Sequence, residues 1–297
     1  MRPVLALGNF DGVHRGHRKI LDRVRISASE RGATAAIVTF DPHPPRVVRP
    51  DKAPPLLMTT AQRLEAIAAA GVHSAAIVRF TTELSRWDPE TFVRTVLVDW
   101  LHVAEVWVGA NFVFGHDRAG NYSLLRALGA QYGFKAEKID PVRYKDFVVS
   151  STRIRRLVAE GRVDEAGALL GHQYYIDGTV VEGDKRGRTL GFPTANLKSD
   201  NELLPPHGVY ATTVTIDGVV RPSVTNVGVR PTVDHSGRTM VEAHLFDFSD
   251  DLYGRTVRVG FVQRMRDERA FESVDALRAQ IADDCGRARV LFDRLSL

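Results

Sequence analysis

Five short apolar runs punctuate the first half of the chain: VLAL (4–7), AAIVTF (35–40), AAIVRF (75–80), EVWVG (105–109) and FKAEKI (134–139). Each is separated from the next by a segment long enough for a helix, and this spacing constrains the fold more than any other feature. Strands joined by helix-length connections pair in parallel, which places the helices on the faces of the sheet. A helix is expected from about His14 to Arg31 and another from about Ala61, closed by Gly71. Asp88-Pro89 supplies an N-cap and a first-turn proline for a third helix ending near Trp100. The Pro-rich stretch from Asp41 to Pro55 reads as a stiff connection. An open α/β domain follows.

After Ser150 the pattern changes. SSTRIRRLVAEG reads as a helix ending at Gly161, and a second short helical pattern leads to Leu169-Leu170-Gly171. From Gln173 onward the runs are β-rich, with Asp217-Gly218 as a hairpin turn between two alternating segments. No helix separates these strands, so an antiparallel barrel or sandwich is expected, covered by a C-terminal helix from about Ser273. A length of 297 residues suits two domains. The boundary is expected within about residues 156–175.

Composition excludes some chemistry. A single cysteine, Cys285, rules out an intramolecular disulfide and a thiolate metal cluster. It lies in the late helical pattern and is expected to pack rather than react. No apolar stretch is long enough to span a bilayer, and Val4–Leu7 is too short for a secretory signal, so a cytoplasmic location is expected. The net charge of +4 suits anionic substrates without selecting among them.

Two segments carry chemistry. LALGNFDGVHRGH follows the first strand and opens the first helix, where an open α/β sheet binds ligands. Gly8 and Gly12 permit a tight turn, and His14 and His17 are spaced to share a helix face. Two imidazoles at a helix N-terminus suit a phosphate that gains charge as a nucleotide bond breaks. In the second half, Gly183, Gly187 and Gly191 punctuate a loop bearing Lys185, Arg186 and Arg188, a composition fit to cradle phosphates. Thr194 and Asn196 in PTAN share one face of an extended segment and offer hard oxygen donors for Mg²⁺ carried by ATP. Glu242 lies on an alternating strand pattern, where taken alone it reads as an outward-facing strand glutamate.

GNFDGVHRGH resembles the signature of the HxGH nucleotidyltransferase superfamily. TFDPHP (39–44), VGANFVFG (108–115) and SSTRIR (150–155) narrow the likeness to the FMN adenylyltransferase module of prokaryotic FAD synthetases. GFPTAN, LLPPHGVYA (203–211), NVGVRPT (226–232) and VEAHLFDF (241–248) are similar to riboflavin kinase. The order of the two modules is that of the bifunctional enzyme.

The resemblance implies a Rossmann-like nucleotidyltransferase domain over 1–170 and a six-stranded β-barrel kinase domain with a C-terminal helix over 171–297. It implies that Gly8, Phe10, Asp11, Gly12, His14, His17, Ser151, Thr152 and Arg155 hold ATP for adenylyl transfer. Asn111 and Phe112, with Phe114, would meet the flavin, and the Pro-rich loop would form a flap beside it. For the kinase it implies ATP held by Gly183, Lys185, Gly187, Arg188, Gly191, Thr194 and Asn196, Mg²⁺ at Thr194 and Asn196, and Glu242 as base. The implied partners are riboflavin, FMN, FAD and ATP, with neither nucleic acid nor membrane. Trp87-Asp88 departs from the leucine–serine pair more usual in the family, away from the proposed catalytic atoms.

Three rival readings fit parts of the sequence. Another HxGH nucleotidyltransferase explains the histidines but not PTAN. A chain with one degenerate module conflicts with intact motifs in both halves. A nucleic-acid-binding module lacks the aromatic-interleaved basic run it needs.

Overall fold

The computed structural model describes residues 2–183, 187, 190–229 and 239–295. The chain divides into two compact units, Met1–Ser151 and Thr152–Leu297. Among the described residues no helix is long and apolar enough to cross a membrane.

In the first unit β1 (Val4–Leu7) leads to α1 (Arg15–Glu30), β2 (Ala35–Asp41), α2 (Pro44–Val48), α3 (Thr60–Ala69), β3 (Ser74–Arg79) and α4 (Pro89–Phe92). Then come β4 (Glu105–Gly109), β5 (Val113–Phe114), β6 (Gly120–Asn121), α5 (Tyr122–Tyr132), β7 (Lys135–Ile139), β8 (Arg143–Tyr144) and β9 (Phe147–Val148). The five longer strands form one sheet in the order β3-β2-β1-β4-β7, parallel at every pairing. One face buries Leu5, Leu7, Val38, Val106 and Val108 against Phe92, Val96 and Leu97 and against Leu125 and Leu128 of α5. The helix α1 turns Ile20, Leu21, Val24 and Ala28 inward, a spacing that keeps one stripe apolar.

Two details depart from the sequence reading. The Pro-rich connection coils into α2, with proline in its first turn, and a 3₁₀ turn at Pro50–Lys52. The third helix starts as expected, with the Asp88 carboxylate accepting from the Thr91 N–H at 2.9 Å, but Val93–Trp100 is a π-helix. Val93, Thr95, Val96 and Val98 crowd a regular α turn through their branched Cβ atoms. The wider turn still buries Val93, Val96 and Leu97.

The second unit opens with α6 (Ser151–Ala159, its first residue shared with the first unit) and α7 (Val163–Leu170), which Gly171 closes in the left-handed region at φ 83°. Six strands follow: β10 (Tyr174–Val181), β11 (Ala195–Ser199), β12 (Gly208–Ile216), β13 (Val219–Val229), β14 (Thr239–Leu245) and β15 (Thr256–Arg266). They close into a barrel in the order β10-β11-β14-β13-β12-β15, antiparallel at every pairing. Tyr174, Tyr210 and Phe261 fill its interior, with Tyr210 edge-on to Phe261 at 5.3 Å. The β12–β13 hairpin turns at Asp217 and Gly218, both at positive φ (49° and 81°), as a two-residue turn requires.

The helix α8 (Val274–Leu295) packs Cys285, Ala288 and Phe292 against Val209, Ala211, Val224 and Phe246 on the barrel's outer wall. Cys285 is buried, in keeping with a packing role. Arg266 pins the helix through both Nε and Nη2 to the buried Asp284 carboxylate, at 3.0 and 2.8 Å.

Candidate active sites

In the first sheet β1 connects outward to β2 and β3 on one side, whereas β4 and β7 lie on the other. The strand order therefore reverses between β1 and β4, and a ligand crevice is expected beyond their carboxyl ends. The turn after β1 is GNFDGVHRGH, and the turn after β4 carries Asn111 and Phe112. Both sequence-predicted segments thus flank the switch point.

The first turn is strained and firmly supported. Phe10, Gly12 and Val13 all have positive φ (52°, 87° and 36°), a conformation costing a non-glycine residue roughly 1–3 kcal/mol. Phe10 and Asp11 are buried. The Asp11 carboxylate accepts from the backbone N–H of Leu57 and of Met58 at 3.1 Å, so it caps the chain entering α3. Arg63, buried on α3, donates through Nη1 to the Asn9 carbonyl at 2.9 Å and through Nη2 to the Phe40 carbonyl at 3.4 Å. Burial lowers the Arg63 pKa from its ordinary value, and Asp11 and Asp41 oppose that shift.

His14 is the N-cap of α1 rather than a residue within it. Its Nδ1 accepts from the His17 N–H at 3.3 Å, which puts its own proton on Nε2. The two imidazoles stack with centroids 3.7 Å apart and planes 13° from parallel. Gly16 gives the ring room, because a Cβ there would lie 3.1 Å from the His14 Cε1. Phe10 meets His17 edge-on at 5.3 Å. Next to the helix start, the Arg15 guanidinium lies 4.8 Å over the Tyr144 ring of the β8–β9 hairpin.

Ser151, the last residue of the first unit, donates from Oγ to the Asp11 carbonyl at 2.8 Å. Thr152 is exposed and Arg155 half-buried on the first turn of α6. Asn111 is exposed and Phe112 half-buried, whereas Phe114 is buried in the core and stacks on Phe112 at 5.4 Å. Phe114 therefore supports Phe112 rather than presenting a free face.

The second site is a row across three barrel strands. Asn196 of β11 lies opposite Glu242 of β14, and Glu242 lies opposite Asn226 of β13. The neighbouring row, Leu197, Val241 and Val227, is buried on the opposite face, so the polar row faces the outer wall. Asn196 is only 7% exposed, and its Oδ1 has no hydrogen-bond partner. An orphaned buried amide oxygen is costly unless a donor or a cation arrives to use it.

Gly183 presses on that amide: a Cβ at residue 183 would collide with the Asn196 side chain. Gly187 accepts from the Phe192 N–H at 2.8 Å, folding the loop back, and a Cβ there would lie 3.2 Å from the Thr194 Oγ1. Gly191 has φ 86°. Thr194 and Glu242 are half-buried. Lys185 and Arg188 lie outside the described residues.

Sequence reasoning missed two residues at these sites. Arg63 reads as a solvated helix arginine, yet it stands four residues before the buried Ile67 and so shares the apolar face. His244 stands two residues beyond Glu242 on the same strand face and donates from Nδ1 to the Pro193 carbonyl at 2.8 Å.

Comparison with known proteins places the chain in a family. The family model described as FAD synthetase matches residues 1–153, and the one described as riboflavin kinase matches residues 170–292. A bifunctional riboflavin kinase/FMN adenylyltransferase of Pseudomonas fluorescens is 41% identical over 97% of this chain and 92% of its own length. The protein of that name in Escherichia coli K12 is 39% identical over 97% and 92%. A crystal structure titled as a macrolide-efflux protein of Streptococcus pneumoniae superposes with a TM-score of 0.87 at 30% identity, covering 97% of this chain and 94% of that one. With two family matches in tandem and relatives of this similarity along nearly its whole length, the chain belongs to the bifunctional riboflavin kinase/FMN adenylyltransferase family.

Proposed function

We propose that the family's two activities are divided at about residue 170, with FMN adenylylation served by 1–170 and riboflavin phosphorylation by 171–297. The chain is a riboflavin kinase and an FMN adenylyltransferase, so riboflavin, FMN, FAD and ATP are its substrates and products. The division is supported by where the two family matches stop and start. An ATP-consuming enzyme suits the cytoplasm, and no nucleic-acid partner is needed.

For phosphoryl transfer, Glu242 takes the proton of the ribityl hydroxyl as that oxygen attacks the γ-phosphorus, and ADP leaves. The observation that carries this reading is the Asn196–Glu242 register pair with its orphaned Asn196 Oδ1. Thr194 and Asn196 supply hard oxygen donors that fit Mg²⁺, which when bound neutralises the triphosphate charge. Gly183, Gly187 and Gly191, with Lys185 and Arg188, hold the phosphates of that ATP.

For adenylyl transfer, an FMN phosphate oxygen attacks the α-phosphorus of ATP and pyrophosphate leaves. His14 donates from Nε2 to a phosphoryl oxygen, because its Nδ1 is committed to the His17 N–H. His17, stacked beside it, adds a second donor where negative charge grows. Gly8, Phe10, Asp11 and Gly12 shape the turn, while Ser151, Thr152 and Arg155 at a helix start provide an anion site for the triphosphate. Asn111 and Phe112 meet the isoalloxazine ring.

The test is chromatography of flavins after incubation with riboflavin, ATP and Mg²⁺. FMN followed by FAD is expected. FMN alone would remove the first site's assignment, and FAD made only from added FMN would remove the second.

A further inference from the structure

Pro193 sits immediately before Thr194. Its ring fixes φ near −65°, which leaves ψ as the one free angle. The His244 Nδ1–H bond to the Pro193 carbonyl, at 2.8 Å, sets that angle by fixing the carbonyl direction. The His244 ring is itself held edge-on by Phe192 at 5.4 Å and by Phe246 at 6.0 Å. Phe246 in turn belongs to the apolar cluster under α8. The strand that carries Glu242 thus also fastens the segment that carries Thr194 and Asn196.

We propose that His244 is a positioning residue for the kinase reaction, holding Pro193 so that Thr194 enters its site at a fixed height relative to Glu242. This inference rests on the assignment of Thr194, Asn196 and Glu242 to the kinase. Because a misplacement of about 1 Å costs up to roughly 10²-fold in rate, loosening one dihedral next to Thr194 lowers kcat. The effect is routed through Thr194, which is assigned to the Mg²⁺ carried by ATP and not to the flavin, so KM for riboflavin should stay nearly constant.

The experiment compares His244→Asn with His244→Leu. The two replacements have nearly the same shape and both lose the ring, but asparagine keeps a nitrogen donor two bonds beyond Cβ, as in Nδ1. Expected for His244→Leu is a fall of about tenfold in kcat for FMN formation, with KM for riboflavin within about twofold of wild type. Expected for His244→Asn is recovery to within about threefold of wild type. Hydrogen exchange in the peptide spanning 190–197 should quicken in His244→Leu and return toward wild type in His244→Asn.

Equal loss in the two variants would overturn the proposal and assign the effect to the lost ring packing. Wild-type turnover in both would overturn it as well. Asn196→Ala run alongside separates the two levels of the argument. A fully active Asn196→Ala would sink the kinase assignment itself, whereas an inactive one beside an active His244→Leu would sink only the role of His244.

Discussion

The two sites are built by opposite means. The proposed adenylyl-transfer site centres on one contiguous turn, strained at Phe10, Gly12 and Val13 and propped from beneath by Asp11 and Arg63. The proposed kinase site centres on a row of residues from three strands, 46 residues apart from Asn196 to Glu242 and adjacent only through barrel register. A turn at the carboxyl end of a parallel strand needs local sequence to bend it, so its chemistry and its geometry are written in the same ten residues. A row across a barrel needs only that each strand alternate correctly, so its pairing is not written locally even where PTAN marks Asn196.

The largest test of this contrast is Glu242→Gln. Removing the base while keeping the shape should slow FMN formation by about 10²–10⁴-fold. FAD formation from added FMN should stay at the wild-type rate, as read by chromatography with each flavin supplied separately. Loss of both activities in a folded variant would mean that the row and the turn are one functional unit.

His14→Ala is the mirror image, with a smaller effect because His17 stays in place. Adenylyl transfer should fall about 10²–10³-fold, the usual cost of one preorganised donor. Supplied with riboflavin, the variant should therefore accumulate FMN. FAD appearing at the wild-type rate would show that the ring only caps α1.

These tests bear on what was legible in the sequence. The parallel sheet was legible because its strands are separated by helix-length segments, and the HRGH turn because its glycines and histidines are contiguous. Asp217-Gly218 announced its hairpin for the same local reason. Taken alone, Glu242 reads as an outward-facing strand glutamate, and only the likeness to riboflavin kinase singles it out, since its partners Asn196 and Asn226 are distant in sequence. The π-helix at Val93–Trp100 kept the spacing of an ordinary helix closely enough to pass for one. Arg63 was hidden because a buried guanidinium is specified by the carbonyls it meets, which belong to Asn9 and Phe40, and not by its neighbours in α3.

Arg63→Met sharpens the comparison by attacking the prop rather than the chemistry. It takes the Arg63 donors from the Asn9 and Phe40 carbonyls, leaving Asn9 the Thr39 hydroxyl at 3.4 Å, and removes a cation near Asp11 and Asp41. The expected cost is about 3 kcal/mol, falling on the first unit. Followed by residual activity after heating, adenylyl transfer should fail at a lower temperature while riboflavin phosphorylation keeps its wild-type profile. Equal losses of heat resistance in the two activities would show that the strain at the turn is not locally supported.

The smallest expected effect uses the chain's single cysteine, which lies in the second unit. Burial, and then the neighbouring Asp284, push the Cys285 pKa up to about 11 from an ordinary 9.0, with Arg289 opposing. Below pH 9 the thiol is protonated both folded and unfolded, so it adds no pH dependence. Between about pH 9 and about 11 the unfolded chain releases a proton that the folded chain retains, so stability falls as pH rises through that window. The cover helix α8 bears that loss, because Cys285 packs it against the barrel wall. Heat inactivation of the kinase should therefore steepen on the alkaline side and that of adenylyl transfer should not. Cys285→Ala should narrow the difference in slope, even though it trims some packing, while Tyr210 of the same barrel, pushed up to about 12 by burial, keeps the remainder. Parallel slopes in wild type and Cys285→Ala would mean that α8 already lifts from the barrel at alkaline pH, exposing the thiol before it titrates.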